Sequence, residues 1–203
     1  MNITPIPAFS DNYIWMIAHE GRAAVVDPGD PTPVLKTLEE QGLALDTIII
    51  THHHFDHTGG VSALKKATGC RVIGPDNPKI ADIDETMTEG ARVTVLGYGF
   101  EIMEVPGHTL DHIAYYNAED GTLFCGDTLF VGGCGRVFEG TFPMMQQSLA
   151  KLSHLPCETK VYCTHEYTMA NLSFARKVEP TNADLSAHID SCQKQRDNDL
   201  PTV

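Results

Sequence analysis

The sequence predicts an α/β (α+β) protein in which two β-sheets pack face to face and helices cover their outer surfaces. Short apolar runs rich in β-branched residues alternate with segments of helical periodicity, and this alternation occurs in two successive runs. The 203 residues are enough for one substantial domain, or for one domain with a small appendage. With 42% hydrophobic residues, the composition is that of a globular protein.

The first run of elements leads to a cluster of histidines. Strands are predicted at residues 2–9, 13–17, 23–26 and 48–50, and helices at residues 33–41 and 60–69. Gly42 and Gly69 end the two helices, because glycine readily adopts the left-handed conformation of a helix C-cap. The strand Ile48-Ile49-Ile50 is short, apolar and β-branched, which predicts that both of its faces are buried.

The second run contains six further strands and three helices. The strands are predicted at residues 71–73, 93–96, 100–105, 113–116, 123–126 and 161–164, and the helices at residues 144–152, 167–178 and 182–198. Residues 75–90 are rich in Pro and Asp, so we expect an irregular surface loop there. We also expect a loop at the glycine-rich residues 131–135.

Residues 51–60 follow the buried strand and place four imidazoles and one carboxylate within six positions. In an extended segment His52 and His54 point to one side and His53 to the other. A solvated loop or an affinity tag can also be rich in histidine, but a tag would lie at a terminus and would not follow a buried strand. Imidazole and carboxylate are ligands that zinc and similar metals prefer. The loop therefore predicts two ligand pairs, His52 with His54 and Asp56 with His57.

Three more polar residues stand at predicted strand ends, namely His108, Asp127 and His165. A single strand-end Asp is usually a turn or capping residue, but four strand ends can converge on one edge of a sandwich. The predicted ligands are His52, His54 and His108 for one metal and Asp56, His57 and His165 for a second, with Asp127 as a bridge. Two adjacent cations would lower the pKa of a bound water toward neutrality and polarise a carbonyl. The ligand set accepts Zn, Fe or Mn, and we expect two divalent ions, with zinc as the first choice.

Charge and cysteine usage restrict the class of protein. The formal net charge of −13 disfavours a nucleic-acid partner, because phosphate binding relies on clustered Lys and Arg. No stretch has the apolar length that spans a bilayer, and the first residues lack the basic start of a signal peptide. The six cysteines form no CxxC pair, so we interpret them as reduced thiols. We expect a cytoplasmic monomer that binds a small molecule and neither nucleic acid nor membrane.

Several motifs resemble those of the metallo-β-lactamase superfamily, namely Thr51–His57 (THHHFDH), Pro106–Thr109 (PGHT), Gly126–Thr128 (GDT) and Thr164–Thr168 (THEYT). More narrowly, the chain is similar to glyoxalase II, the hydroxyacylglutathione hydrolases. The features that carry this likeness are Asp11-Asn12-Tyr13, Gly132–Arg136, Phe138–Gly140, His165–Asn171, Phe174-Ala175 and Glu179-Pro180. The resemblance runs from residue 1 to about residue 180, and the later motifs select this branch of the superfamily.

The resemblance implies a four-layer αββα sandwich with a binuclear site whose ligands are those predicted above. It implies hydrolysis of S-D-lactoylglutathione to D-lactate and glutathione, the second step of methylglyoxal detoxification, by a metal-bridging hydroxide. Asp127 as the bridge and Asp56 as a ligand able to orient the hydroxide are the expected catalytic carboxylates. The expected division is a hydrolase domain at residues 1–165 and, at residues 166–203, the start of a C-terminal helical substrate-binding domain. That part is expected to be truncated, because the further basic pair of the family is absent.

The resemblance also implies substrate contacts. Arg136 stands where the family places a basic residue toward glutathione, and its alternative role is a surface salt bridge. Tyr167 matches a tyrosine whose hydroxyl can bond glutathione, and its alternative role is a core aromatic. Phe138 stands where some members carry tyrosine, so that only packing remains there.

The same fold also serves functions other than thioester hydrolysis, and the sequence disfavours several of them. A mononuclear-iron oxidoreductase resembling persulfide dioxygenases would need only one ligand set, whereas this chain keeps both. A β-lactam hydrolase is disfavoured by the motifs at residues 133–138 and 165–167, and a nuclease is disfavoured by the negative charge. A chain that binds metal without turnover is the remaining alternative.

Overall fold

The computed structural model describes residues 1–203, and its first sheet carries the N-terminal half of the chain. The sheet has the strand order β1-β2-β3-β4-β5-β6. Its strands are β1 (Asn2–Ala8), β2 (Asn12–His19), β3 (Arg22–Val26), β4 (Ala44–Ile49), β5 (Arg71–Pro75) and β6 (Glu85–Met87). Strands β1 to β3 pair antiparallel, and β3 to β6 pair parallel.

The second sheet carries the later strands. Its members are β7 (Arg92–Val95), β8 (Tyr98–Glu104), β9 (Ile113–Asn117), β10 (Thr122–Gly126) and β13 (Lys160–Cys163). Between β10 and β13 the chain forms a separate two-stranded ribbon of β11 (Leu129–Phe130) and β12 (Gly133–Cys134). The strand order is β13-β10-β9-β8-β7, and β13 runs parallel to β10. Strands β10 and β13 therefore end at the same edge of the sheet.

Six helices complete the chain, at α1 (Pro31–Gln41), α2 (Phe55–Thr58), α3 (Val61–Thr68), α4 (Phe142–Ser153), α5 (Thr168–Val178) and α6 (Ala183–Arg196). Asp30 caps α1 by accepting a hydrogen bond from the Thr32 amide at 2.8 Å. Gly42 ends α1 in the left-handed conformation, as predicted. No helix combines the length and the apolarity needed to cross a bilayer.

The layers of the sandwich follow from the alternation of side chains along the buried strands. In β4, Ile48 packs with the apolar residues of α1 and α3, whereas Ile49 packs between the two sheets with Phe100 and Phe124 of the second sheet. A third cluster packs Leu152 of α4 against the outer face of the second sheet. The resulting order of helix, sheet, sheet, helix confirms the predicted αββα sandwich.

Two local expectations were wrong. Residues 75–90 are not wholly irregular, because β6 adds to the edge of the first sheet by pairing with β5 and burying Met87. Residues 131–135 contain β12, which pairs with β11 rather than forming a simple loop. In each case pairing with a neighbouring strand outweighs the local composition.

Candidate metal centre

Four strand ends supply the polar residues of one edge of the sandwich. The loop after β4 carries the histidine cluster, and the loops after β8, β10 and β13 carry His108, Asp127 and His165. The amide of Ile113 donates a hydrogen bond to the carbonyl of Thr51 at 2.9 Å and joins the loops of the two sheets. All of the sequence-predicted ligands therefore lie together, although they come from both sheets.

The first cluster consists of three imidazoles whose nitrogens point at one another. The Nδ1 atom of His54 lies 3.1 Å from Nε2 of His52 and 3.0 Å from Nε2 of His108. The outer Nδ1 atom of His52 lies 3.0 Å from Thr51 Oγ1, and that of His108 lies 2.7 Å from the carbonyl oxygen of Arg136. These outer hydrogen bonds orient both rings with Nε2 turned inward.

The second cluster consists of Asp56, His57 and His165. The Oδ2 atom of Asp56 lies 3.4 Å from the Nε2 atoms of both histidines. The outer Nδ1 atom of His57 lies 3.0 Å from Asp27 Oδ2, and that of His165 lies 2.8 Å from Asp11 Oδ1. Carboxylates that accept the Nδ1 proton leave Nε2 with its lone pair toward the cluster.

Asp127 lies between the two clusters. Its Oδ2 atom is 3.4 Å from His108 Nε2 and 3.3 Å from His165 Nε2, and its Oδ1 atom is 3.4 Å from His57 Nε2. The backbone amide of Asp127 donates to Nε2 of the buried His112 at 3.0 Å, which holds the loop in place. A carboxylate that reaches both clusters is placed as a bridging ligand would be, and the bridging role itself stays a prediction.

The donor atoms fit divalent cations. The buried atoms His57 Nε2 and Asp127 Oδ1 have no hydrogen-bond partner, which is costly unless another ligand satisfies them. Zinc bonds to His of about 2.0–2.1 Å in a tetrahedron separate neighbouring donors by about 3.3 Å. The separations of 3.0–3.4 Å within both clusters are close to that value.

Burial and charge act differently on the two clusters. Burial lowers the pKa of His52 well below its usual value, and it also lowers the pKa of His54 and His108. Burial opposes protonation of His165 as well, but its bonds to Asp127 and Asp56 raise its pKa to about 10. Burial therefore favours neutral imidazoles in the first cluster, whereas the carboxylates around His165 favour a proton that a bound cation would displace.

An open cleft of about 800 Å³ lies over both clusters. The three predicted substrate residues line it, together with Phe130, Cys134 and Glu139, which sequence reasoning did not single out. Arg136 is exposed and makes no ion pair within the chain, so the salt-bridge alternative is not observed. The Arg136 guanidinium carbon lies 5.6 Å from the centre of the Phe138 ring. The cleft wall thus offers one cation beside an aromatic surface.

The two predicted aromatic residues lie directly beside metal-centre histidines. Tyr167 stacks on His165 with the ring centres 4.8 Å apart and the planes 4° from parallel, and it is 39% exposed, so it is not a core aromatic. Phe138 is 60% exposed and its ring centre lies 5.3 Å from that of His108. Both rings can pack against a bound molecule, while contact with substrate stays a prediction.

Sequence reasoning missed the residues that orient the ligands. The sequence patterns assign no role to Asp27, and Asp11 and Asn12 enter only through the likeness to the hydroxyacylglutathione hydrolases. Asp27 directly follows β3 and therefore carries the same strand-end signal as the ligands. His53 points away from the centre, as predicted, with its Nδ1 atom 2.9 Å from Asp111 Oδ1.

Comparison with known proteins gives consistent matches along the whole chain. The family model of the metallo-beta-lactamase superfamily matches residues 8–165, and that of the hydroxyacylglutathione hydrolase C-terminus matches residues 166–203. A hydroxyacylglutathione hydrolase of Ectopseudomonas mendocina is 56% identical over 97% of this chain and 78% of its own length.

Two solved structures are similar in fold. The BLEG-1 B3 metallo-beta-lactamase has a TM-score of 0.75 at 25% identity, covering 81% of this chain and 91% of that chain. The protein TTHA1623 in a di-iron-bound form has a TM-score of 0.70 at 28% identity, covering 80% of this chain and 91% of that chain.

Proposed function

This chain belongs to the metallo-β-lactamase superfamily and, within it, to the hydroxyacylglutathione hydrolases, and on that premise we propose that it hydrolyses S-D-lactoylglutathione to D-lactate and glutathione. It is accordingly an enzyme, a thioester hydrolase. The observation that carries the proposal is the presence of two complete ligand clusters joined by Asp127 beneath one cleft.

The cofactors are divalent metal ions. We propose two per chain, most suitably zinc, with iron or manganese as alternatives. His52, His54 and His108 would hold one, Asp56, His57 and His165 the other, and Asp127 both. When bound, such a pair lowers the pKa of a shared water toward neutrality and polarises the thioester carbonyl. The di-iron form of the similar protein TTHA1623 supports the proposed number.

The ligand-orienting residues keep the donor atoms in place during the reaction. Asn12 donates to Asp56 Oδ2 at 3.0 Å, and no hydrogen bond to Oδ1 of Asp56 is observed. Asp56 lines the cleft, so its Oδ1 atom would accept a hydrogen bond from the attacking water. This bond would aim the lone pair of the water oxygen at the thioester carbonyl. The leaving thiolate needs no strong general acid, since a thiol has a pKa of about 8.5.

The cleft wall would select the substrate. Glutathione carries carboxylates, and the Arg136 guanidinium can bind one through paired hydrogen bonds. The chain has a net charge of −13, so a cation at this position is needed to attract an anionic thioester. Tyr167 would offer its hydroxyl to the peptide groups of glutathione, and Phe138 would supply packing alone.

The proposal extends to the domain organisation, the cellular compartment and the oligomeric state of the chain. We assign residues 1–165 to the hydrolase domain and residues 166–203, with α5 and α6, to the helical part of the substrate site. All six cysteines are free thiols, which supports a reducing cytoplasm. We propose that the chain acts as a monomer, which its elution volume on size-exclusion chromatography would test.

The decisive experiment is hydrolysis of S-D-lactoylglutathione by the 203-residue chain, with metal content measured on the same sample. The expected result is turnover with about two metal ions per chain, as a two-metal mechanism requires. Two ions without turnover would locate the failure in the glutathione pocket. One iron per chain without hydrolysis would favour the oxidoreductase alternative.

A further inference from the structure

We propose that Glu166 is a positioning residue through which the C-terminal residues 196–202 hold the second metal cluster, and that cluster alone, in its binding geometry. The inference rests on the proposed binuclear site. It gives the C-terminal segment a role in metal binding in addition to the proposed role in substrate binding.

The carboxylate of Glu166 is held by residues from both ends of the chain. Its Oε2 atom accepts hydrogen bonds from the Tyr13 hydroxyl at 3.0 Å and from the Thr202 amide at 3.1 Å. Its Oε1 atom accepts from the Thr202 hydroxyl at 2.8 Å. Arg196 of α6 lies 3.6 Å away and also donates to the Tyr13 hydroxyl at 3.0 Å. The carboxylate, which is 10% exposed, is therefore a junction between the first sheet and the C-terminal segment.

The same junction holds the metal ligand next to Glu166. The amide of Glu166 donates to the carbonyl of Asp11 at 2.9 Å, and the side chain of Asp11 orients His165 through the 2.8 Å contact to Nδ1. The amide of Tyr13 donates to the carbonyl of Thr164 at 2.7 Å. His165 is thus held between Asp11, which bonds its ring, and Glu166, whose carboxylate bonds the Tyr13 hydroxyl.

Asn12 extends this support to Asp56, a further ligand of the second cluster. It lies between Asp11 and Tyr13, and its side chain donates to Asp56 at 3.0 Å. By contrast, the outer nitrogens of His52 and His108 bond to Thr51 and to the carbonyl of Arg136, which lie outside the junction. Loosening Glu166 should therefore disturb the second cluster and leave the first intact.

The size of the effect follows from other metal sites. Loss of a residue that hydrogen-bonds a metal ligand directly typically weakens metal affinity by about 10–100-fold. The Glu166 carboxylate acts one contact further from the ligands, through Tyr13, so we expect the lower end of that range. A purely structural role for Glu166 would instead lower stability without separating the affinities of the two ions.

The test compares Glu166→Gln and Arg196→Ala with Lys194→Ala, which removes an exposed cation from the same helix. Each metal-free chain is titrated with Zn²⁺, and bound metal is counted after dialysis at a series of free Zn²⁺ concentrations. In Glu166→Gln and Arg196→Ala we expect one ion to bind with parent affinity and the second to bind about 10-fold more weakly, while Lys194→Ala matches the parent. Two ions bound with parent affinity in both test variants would overturn the inference.

Two further measurements keep the outcomes distinct. If Glu166→Gln does not fold, Tyr13→Phe takes its place. This variant removes one hydroxyl from the junction and should weaken binding of the second ion alone. Equal weakening of both ions in Tyr13→Phe would refute a role specific to the second cluster. If the parent chain itself binds fewer than two ions, the proposed binuclear site fails, and the inference fails with it.

Discussion

The Oδ2 atom of Asp27 lies 3.0 Å from Nδ1 of His57, and both side chains are fully buried. The same oxygen accepts the Thr51 hydroxyl at 2.7 Å, and the oxygen of that hydroxyl lies 3.0 Å from Nδ1 of His52. One carboxylate therefore orients a histidine of each metal cluster, which makes Asp27 a common support of the centre.

The substitution Asp27→Asn should weaken metal binding at both clusters. An amide cannot serve as the anionic acceptor for His57 and Thr51 together, and the expected loss is about 10–100-fold in affinity. Zinc titration of the metal-free chain would measure it, with the exposed Asp190→Asn as the control. Parent-like affinity in Asp27→Asn would show that the buried carboxylate does not orient the ligands.

The substitution Asp127→Asn should weaken both metals and nearly abolish turnover. Its two oxygens lie 3.3–3.4 Å from donor nitrogens of both clusters, and an amide offers only one oxygen in their place. Metal content and kcat measured on one preparation would test this. Unchanged values of both would rule out the bridging role.

The substitution Arg136→Ala should chiefly raise KM. Arg136 lines the cleft, and its side chain makes no ion pair and no hydrogen bond to a metal ligand, so it would contribute to binding in ground and transition states alike. Steady-state kinetics with S-D-lactoylglutathione would measure the change, and the highly exposed Arg92→Ala would control for lost surface charge. An effect on kcat alone would contradict a glutathione contact.

The substitution Gly29→Ala should destabilise the fold around the metal loop. A Cβ atom at Gly29 would lie 1.9 Å from the backbone oxygen of Asp56, so the loop that carries Asp56 and His57 would have to move. Overpacking of this kind costs about 1–3 kcal/mol. Urea unfolding of the metal-free chain would measure it. Gly99→Ala is the control, because its Cβ would meet no atom within 4 Å.

Removal of metal should lower the thermal stability of the chain. A ligand present at about 100 times its Kd stabilises the native state by about 2.7 kcal/mol for each site. Unfolding curves recorded with and without a chelator should therefore differ, and added Zn²⁺ should restore the higher Tm. A Tm that does not respond to chelation or to added Zn²⁺ would contradict divalent-metal binding by the folded chain.

The sequence by itself determined the layers of the fold and the position of every predicted ligand along the chain. The uninterrupted apolar run Ile48-Ile49-Ile50 specifies a strand buried on both faces. His52, Asp127 and His165 each follow a strand within a few residues. These are local signals, because strand periodicity and turn chemistry depend on neighbouring residues.

Only the tertiary structure decided which residues support the ligands and that Phe130, Cys134 and Glu139 also line the cleft. Asp11 and His165 are 154 positions apart, and Asp27 and His57 are 30 apart, yet each pair forms a hydrogen bond. Strand β6 likewise exists because it pairs with β5 and not because of its own composition. Such contacts arise when strands that are distant in the sequence pair within a sheet and when the two sheets pack face to face, and no short-range pattern of residue types specifies them.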